Sequence, residues 1–199
     1  MKFGTSRPPQ TDDQFLFYTA VATGSEPAAV FDSEYTVEYW KPTLRQLVPP
    51  RMPRFPYIVW ALFHFAGIFF NRDYALYLIR LNGQLVHRSV ITPGYFRFPF
   101  MQPADLQVGD TWTHPRHRGR VLATGALSDI LSRQSVGRRV WYIVRNSNAP
   151  SIRVVEKAGF EYAGAGRRIP RFGLSLFGAY CLTQERVTTQ IQEVNSTCL

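Results

Sequence analysis

The stretch of sequence that decides the fold is T-H-P-R-H-R-G-R-V-L-A, residues 113–123. It follows an alternating run over residues 105–113 that predicts a β-strand, and it leads into a helical pattern over residues 122–134. Basic residues and a glycine therefore lie at the junction between a strand and a helix. Free backbone N–H groups and the positive end of the helix dipole meet at such a junction, so the stretch predicts a binding site for a pyrophosphate group.

A second stretch, N-A-P-S-I-R-V-V-E-K-A-G-F at residues 148–160, predicts a short helix followed by another strand. Gly159 is suited to end the helix, which we expect over residues 151–158, and the aromatic Phe160 begins the strand. Asn148 precedes the helix and can cap it, because an asparagine side chain accepts hydrogen bonds from the first N–H groups of a helix.

In this order the two stretches resemble the acyl-CoA-binding core of the GNAT superfamily of N-acyltransferases. The residues that match the phosphate loop are Pro115, Arg116 and Gly119, and the second motif maps onto Asn148, Ser151, Val155, Gly159 and Phe160. Val121 departs from the family pattern, which has a small residue there, although Ala123 follows two positions later. A branched side chain at this position is expected to crowd the approach of the backbone to the phosphates.

The resemblance implies an acyl donor that is acetyl-CoA, another acyl-CoA or an acyl carrier protein thioester. In the family, the strand before the loop exposes its backbone to the pantetheine arm, and the loop binds the pyrophosphate. The residues implied to bind the donor are Trp112, Thr113, Arg116, Arg118, Gly119, Arg120, Val121, Leu122, Ala123, Asn148 and Ser151. Asn148 is expected to contact the cofactor arm, to cap its helix, or to do both.

The resemblance also implies an α/β (α+β) fold with a GNAT-like mixed, mostly antiparallel central sheet that is splayed between two central strands and flanked by helices. Asn82-Gly83 predicts a tight hairpin between strands over residues 74–81 and 85–91. The remaining strands are expected over residues 139–144, 160–164 and 174–182, which gives the family order of a hairpin followed by β-α-β-α-β-β.

The family pattern covers about residues 74–182, and we expect a single domain over residues 1–199. Before the pattern, residues 14–20 and 35–40 read as short strands or extended pieces. Residues 55–70 are almost wholly apolar and aromatic but too short for a confident membrane span, so they predict a buried helix.

The chain has a formal net charge of +9 and a pI of about 9.9, which favours polyanionic partners such as CoA or an acyl carrier protein. Its arginines form neither a single basic stripe nor a recognisable reading element, so no nucleic-acid partner is predicted. Residues 1–10 lack the apolar run of a secretory signal, which favours a cytoplasmic location without a transmembrane segment. Cys181 and Cys198, the two cysteines, indicate neither a disulfide framework nor a metal site.

Two residues are candidate general bases for removing a proton from an amine. Asp110 lies near the end of the strand before the phosphate loop, where alternation puts Asp110 and Trp112 on one face and Thr111 and Thr113 on the other. Its alternative role is a structural ion pair with an arginine. His87, on the second hairpin strand, is the other candidate base, with a purely structural role as its alternative.

Many family members carry a tyrosine that acts as the acid at the position of Val155. This chain would therefore use another donor, such as Tyr142 or Tyr162, or let solvent protonate the leaving thiolate.

Three functions remain open from the sequence. The first is an N-acyltransferase that moves an acyl group, by default acetyl, to the primary amine of a small molecule by direct attack. The second is a long-chain N-acyl amino acid synthase that uses an acyl-acyl carrier protein, for which the aromatic residues within 57–70 and 95–100 would line an apolar slot instead of packing in the core. The third is a non-catalytic domain that binds an acyl thioester.

Overall fold

The computed structural model describes residues 14–24, 31–171 and 174–183. Eight strands and three α-helices are present among them. The strands are β1 Gln14–Val21, β2 Tyr35–Trp40, β3 Ala75–Leu81, β4 Gln84–Pro93, β5 Leu106–Thr113, β6 Arg139–Arg145, β7 Glu161–Arg171 and β8 Leu174–Thr183. The helices are α1 Tyr57–Phe65, α2 Leu122–Ser132 and α3 Ala149–Lys157, and a short 3₁₀ turn, Pro115–His117, follows β5.

All eight strands belong to one sheet with the order β2-β3-β4-β5-β6-β1-β7-β8. Every neighbouring pair is antiparallel except β5 and β6, which are parallel. The mixed, mostly antiparallel sheet and the order hairpin-β-α-β-α-β-β predicted for the chain are therefore confirmed. Asn82 and Gly83, with φ of 49° and 76°, form the tight turn between β3 and β4.

The sheet separates two hydrophobic clusters. On one face, α2 and α3 pack against the strands through residues such as Leu127, Ile130 and Val155, which are fully buried beside Tyr77 and Val108. On the other face, the cluster contains Phe17, Leu76, Trp141, Tyr57 of α1 and the aromatic loop around Tyr95. We call these the helical face and the aromatic face.

The position of β1 was not apparent from the sequence. The strand lies inside the sheet between β6 and β7, with Phe15 opposite both Arg145 and Gly166. The Tyr18 hydroxyl in this strand donates a hydrogen bond to Glu156 Oε1 at 3.0 Å, which links β1 to α3. The N-terminal strand therefore completes the centre of the sheet and supports a helix of the helical face.

The prediction of a buried helix over residues 55–70 is wrong in its extent and its burial. The helix covers only Tyr57–Phe65, and within it Tyr57 and Ala61 alone are buried, while Leu62 is 52% exposed. The helix follows Pro56 and ends before Gly67, whose φ of 70° is incompatible with continuing it. No helix among the described residues is both long enough and apolar enough to cross a membrane.

Cys181 in β8 is disulfide-bonded, a bond that the two cysteines of the sequence did not indicate.

Candidate functional site

The parallel strands β5 and β6 separate after a short paired stretch. Their ladder covers only Leu106 to Val108 on β5 and Val140 to Tyr142 on β6. Beyond it, β5 continues beside β4 alone, so its backbone from Gly109 onward has no ladder partner on the β6 side within the described sheet. This is the splay between two central strands that the sequence led us to expect.

A β-bulge lies at the start of the splay. The β4–β5 register shifts between Arg88 and Val90, so that Asp110 and Thr111 together face Ser89, and Asp110 has a φ of 43°. From Asp110 onward the side chains alternate between the two faces as predicted, since Asp110 and Trp112 both contact Arg88. The bulge also brings Asp110 to the same cavity as Gly109, although adjacent strand residues normally point to opposite faces.

A cavity of about 610 Å³ opens on the helical face beside the splay; we call it the donor cavity. Nine of the predicted donor-binding residues line it: Trp112, Thr113, Arg118, Gly119, Val121, Leu122, Ala123, Asn148 and Ser151. Arg116 and Arg120 do not line it, and both are exposed. Most of the residues chosen from the two motifs therefore meet at one place.

The N-terminus of α2 borders the donor cavity and has no side-chain cap. Its first N–H groups lack partners within the helix, as at every helix start, and the helix dipole adds positive potential there. Arg118, Arg153 and Lys157 line the same cavity. Free N–H donors surrounded by basic side chains are suited to bind a pyrophosphate.

Val121 precedes α2 in the left-handed conformation, with φ of 61°, and its side chain is 69% exposed. A β-branched residue is rarely found at positive φ, because its Cβ approaches the backbone too closely. A glycine, which has no Cβ, would relieve this conflict, so the valine at position 121 introduces backbone strain in addition to bulk beside the donor cavity.

Asn148 acts as the N-cap of α3, because its side-chain oxygen accepts a hydrogen bond from the Ser151 N–H at 3.2 Å. Both residues also line the donor cavity. The capping role is thus present, and it holds the asparagine where a cofactor arm could reach it.

Several lining residues were not selected from the sequence as donor-binding residues. They are Thr111, His117, Thr124, Tyr142, Pro150, Arg153, Val154 and Lys157. Four of them lie on α3 as the i, i+4 pairs Pro150–Val154 and Arg153–Lys157, which share one side of a helix. Helical spacing from Asn148 onward would have identified them, whereas Thr111 and Tyr142 depend on the geometry of the splay.

A buried polar network lies against this cavity and includes His87. The His87 side chain is fully buried, with Nδ1 2.8 Å from Thr113 Oγ1 and Nε2 3.2 Å from Ser89 Oγ. Ser89 Oγ is in turn 3.1 Å from Thr111 Oγ1. Burial, followed by the charge of Arg88, lowers the pKa of His87 to about 4. His87 is therefore neutral, with both ring nitrogens engaged, and it holds the two threonines that line the donor cavity.

Tyr142 extends these polar groups across the splay to β6 and lines the donor cavity. Burial raises the pKa of its hydroxyl, and hydrogen bonding with Thr111 and Ser151 partly opposes that shift. Tyr162 differs, since it is 51% exposed and is not among the residues that line the donor cavity.

A second cavity, of about 200 Å³, lies on the aromatic face; we call it the aromatic cavity. Its lining includes the aromatic Trp60, Tyr95, Phe98 and Tyr180, together with Thr92 and Gln107, whose side chains are joined by a 2.9 Å hydrogen bond. Gly109, Asp110 and Ile143 line it beside the splay. Asp110 is the only carboxylate among the residues that line this cavity.

Asp110 is held by two neighbours. Tyr57 OH donates to its Oδ2 at 2.7 Å, and the Arg88 guanidinium lies 3.4 Å from each of its two oxygens. Arg88 also stacks on the Tyr57 and Trp112 rings. Burial, and then the hydrogen bond to Asp110, raises the pKa of Tyr57, so that the tyrosine stays a donor. The ion pair expected as an alternative role is present, and the carboxylate remains 48% exposed.

Most of the aromatic residues at 57–70 and 95–100 pack against one another. Phe63 contacts Trp60, Phe69, Tyr95 and Phe96, while Phe100 contacts Phe17, Phe98 and Trp141. These rings mainly build the core of the aromatic face. Among the described residues, no group of three or more His, Cys, Asp or Glu side chains could hold a metal ion.

Comparisons with known proteins agree with this geometry. The acetyltransferase (GNAT) family model matches residues 36–160. No curated protein was found to match the chain. Among solved structures, a GCN5-related N-acetyltransferase from Sphaerobacter thermophilus is 15% identical, with a TM-score of 0.52, over 77% of this chain and 49% of that one.

A tandem GNAT protein from the clavulanic acid biosynthesis pathway is 17% identical, with a TM-score of 0.50, over 77% of this chain and 51% of that one. The chain thus spans about half the length of these two proteins, and likeness at such identities concerns the fold alone. The family match covers well over half of the chain, and it includes the splayed strands and the helix start that border the donor cavity. The chain therefore belongs to the GNAT family of acetyltransferases.

Proposed function

We propose that the chain transfers an acetyl group from acetyl-CoA to the primary amine of a small molecule. The observation that carries this proposal is the arrangement of the two cavities around the splay. Thr111 and Tyr142 line the donor cavity, whereas Asp110 and Ile143, their neighbours in the chain, line the aromatic cavity. A thioester bound from one face can therefore meet an amine bound from the other.

The donor cavity supplies the groups that a CoA thioester requires. The uncapped start of α2, with Arg118, Arg153 and Lys157, would bind the phosphates. The unpaired edge of β5 from Gly109 onward would bind the amide-bearing arm by backbone hydrogen bonds. The buried contacts of His87 with Thr113, and through Ser89 with Thr111, make His87 a positioning residue for this edge.

Asp110 faces the amine in this proposal. Its carboxylate attracts the ammonium form and accepts the proton, directly or through water, before nitrogen attacks the thioester carbon. Because a bulge leaves a strand residue outside the regular ladder, a backbone N–H at the β4–β5 register shift would donate to the carbonyl oxygen, where negative charge develops. The C–N bond then forms and the C–S bond breaks, with Tyr142 donating a proton to the sulfur. The nitrogen loses its second proton to water, and that proton restores the Tyr142 hydroxyl. Tyr142 thus takes the place of the acid that the family pattern would put at Val155.

Acetyl is the acyl group that the cavities favour. The aromatic rings that could have lined a long acyl slot are largely occupied with one another, and the aromatic cavity measures only about 200 Å³. A long chain would compete with the acceptor for this space. Use of an acyl carrier protein, and a cytoplasmic location, stay predictions from the sequence.

A pair of matched glycine variants tests the donor site. Gly119 and Gly137 have φ of 79° and 81°, and a Cβ added to either would meet no atom within 4 Å. Gly119→Val and Gly137→Val therefore carry similar backbone strain, but only Gly119 lines the donor cavity. We expect Gly119→Val to raise the KM for acetyl-CoA about tenfold or more, whereas Gly137→Val leaves it unchanged. Equal KM values in the two variants would contradict the donor site.

A series of donors of increasing chain length, each offered on CoA and on acyl carrier protein, tests the acyl group. We expect kcat/KM to fall as the chain lengthens, with CoA preferred as carrier. Efficiency that rises with chain length would contradict acetyl transfer, because each buried methylene would then contribute about 0.8 kcal/mol.

A further inference from the structure

The aromatic cavity contains a cation as well as a carboxylate. Arg97 lines it, and Asp110 lines it beside the splay. The other lining residues are aromatic, aliphatic or uncharged polar ones. A cavity with one side chain of each charge and apolar walls is complementary to a small molecule that itself carries both charges.

Arg97 is held against the cavity by its own loop. Its carbonyl oxygen accepts a hydrogen bond from the Tyr180 N–H at 2.8 Å, and the next ring, Phe98, stacks on Tyr180 with 5.6 Å between centroids. These contacts fix the loop on β8, so the start of the Arg97 side chain is fixed too. A guanidinium on a fixed backbone loses less conformational freedom when it binds an anion.

A second arginine increases the positive potential at this end of the cavity. The Arg168 guanidinium lies 5.9 Å from the centre of the Tyr180 ring. Burial raises the pKa of the neighbouring Tyr95 to about 12, and both Arg97 and Arg168 act against that shift. The two guanidinium groups therefore lie close to the same cavity wall, where an anionic group would be stabilised.

We propose that the acceptor is an amino acid with an apolar or aromatic side chain, whose carboxylate binds Arg97. The guanidinium fork of an arginine matches a carboxylate through two parallel hydrogen bonds. The ammonium group would then lie toward Asp110 and the splay, while Trp60, Phe98 and Tyr180 contact the side chain. This inference deepens the proposed function and rests on it, since it names the amine that the enzyme acylates.

Phenylalanine and phenethylamine provide the test, because they differ only in the carboxylate. Binding of each to the whole chain is measured by calorimetry, and acetylation of each by steady-state kinetics. We expect phenylalanine to bind, and to be acetylated, about tenfold or more better than phenethylamine, which is the scale of a charge-assisted hydrogen bond.

Arg97→Gln should remove this preference by raising the Kd and KM for phenylalanine alone. Arg97→Lys, which keeps the charge without the fork, should restore part of it. Arg139→Gln is the control, since it removes the same charge from an arginine that lies 5.8 Å from the Trp141 ring and lines neither cavity.

The possible failures are distinguishable. If both compounds bind and react equally, or if Arg97→Gln weakens both to the same extent, Arg97 does not bind a carboxylate and the inference is wrong while the acetyltransferase proposal stands. If phenylalanine binds through Arg97 but no acetyl transfer occurs, the proposed reaction is wrong while the cavity still recognises an amino acid. If Arg97→Gln does not fold, the comparison of the two compounds on the unaltered chain decides.

Discussion

At the scale of single residues, Asp110 combines a structural contact with exposure at the splay. Its carboxylate is paired with Arg88 and bonded to Tyr57, yet it stays 48% exposed at the splay. Asp110→Asn keeps the shape and removes the charge that would accept a proton. We expect kcat to fall by about 100-fold or more, with the KM for acetyl-CoA unchanged.

Asp73→Asn is the matched control for Asp110→Asn. Asp73 is also a partly exposed carboxylate, paired with Arg138 at 2.8 Å and Lys41 at 3.3 Å, and it lines neither cavity. Turnover per folded molecule should be normal in this variant. If the two variants lose the same stability and keep the same turnover, Asp110 serves only the ion pair.

Val121 provides a prediction about backbone strain. Val121→Gly removes a β-branched side chain at φ of 61°, so we expect the free energy of unfolding to rise by about 1 kcal/mol in chemical denaturation. Val136→Gly is the control, because Val136 is also strongly exposed, at 76%, but is not among the residues with positive φ. It should lower the stability by roughly 0.5–1 kcal/mol through the greater freedom of the unfolded chain. Equal losses in both variants would mean that Val121 is not strained.

At the scale of elements, α2 determines the donor cavity through its N-terminus, and it is anchored near its other end. Asp129 of α2 is 3% exposed, and its carboxylate accepts a hydrogen bond from the buried Tyr77 hydroxyl of β3 and pairs with Arg133 at 3.0 Å. The helix is therefore fixed to the sheet by a polar contact in addition to the packing of its apolar side.

Tyr77→Phe should therefore destabilise the protein by about 1–3 kcal/mol, because a buried carboxylate loses a donor. Tyr74→Phe is the control within the same sheet region, since Tyr74 is as fully buried as Tyr77 but its hydroxyl has no hydrogen-bond partner among the described residues. Removing that hydroxyl should leave the stability unchanged or slightly higher. The midpoints of denaturation of the two variants provide the measurement, and equal midpoints would rule out the anchor.

The elements also show what the sequence could and could not predict. Gly159, Asn82-Gly83 and Asn148 act through local backbone conformation, and the turns and caps they predicted are present. The bulge at Asp110 depends on the pairing of β5 with β4 over a long separation, and no local signal indicated which cavity Asp110 would reach. Asn148 and Ser151, taken from the second motif, line the donor cavity, whereas Tyr142 lines it because two strands separate beside it.

At the scale of the whole molecule, His87 makes stability depend on pH. Its pKa is about 4 in the folded state and near 6.5 when exposed, so the unfolded chain binds the extra proton between these values. Stability is therefore full above pH 6.5 and decreases as the pH falls toward 4. Over this pH range the protonation of His87 lowers the free energy of unfolding by roughly 3 kcal/mol.

His87→Gln should remove this part of the acid sensitivity. The measurement is the free energy of unfolding at several pH values from 7 to 4 for both proteins, since carboxylates elsewhere contribute equally to each. We expect the unaltered protein to have the higher free energy of unfolding at pH 7. The difference in this free energy between the two proteins should narrow as the pH falls, because only the unaltered protein loses stability through His87. A constant difference would show that His87 titrates alike in the folded and unfolded states.

The central place of β1 has a consequence for how the chain is made. Phe15 of β1 pairs with both Arg145 of β6 and Gly166 of β7. The strand β1 is synthesised before all the other described elements, so it cannot pair until β6 and β7 have been synthesised. Until they appear, the sheet can form only from β2 to β5, with the edge of β5 open. The splay needs β6, so the two cavities beside it cannot be assembled on the ribosome before most of the chain has been translated. During that time β1, with its apolar Phe15, Leu16 and Phe17, has no neighbouring strand and is exposed to aggregation.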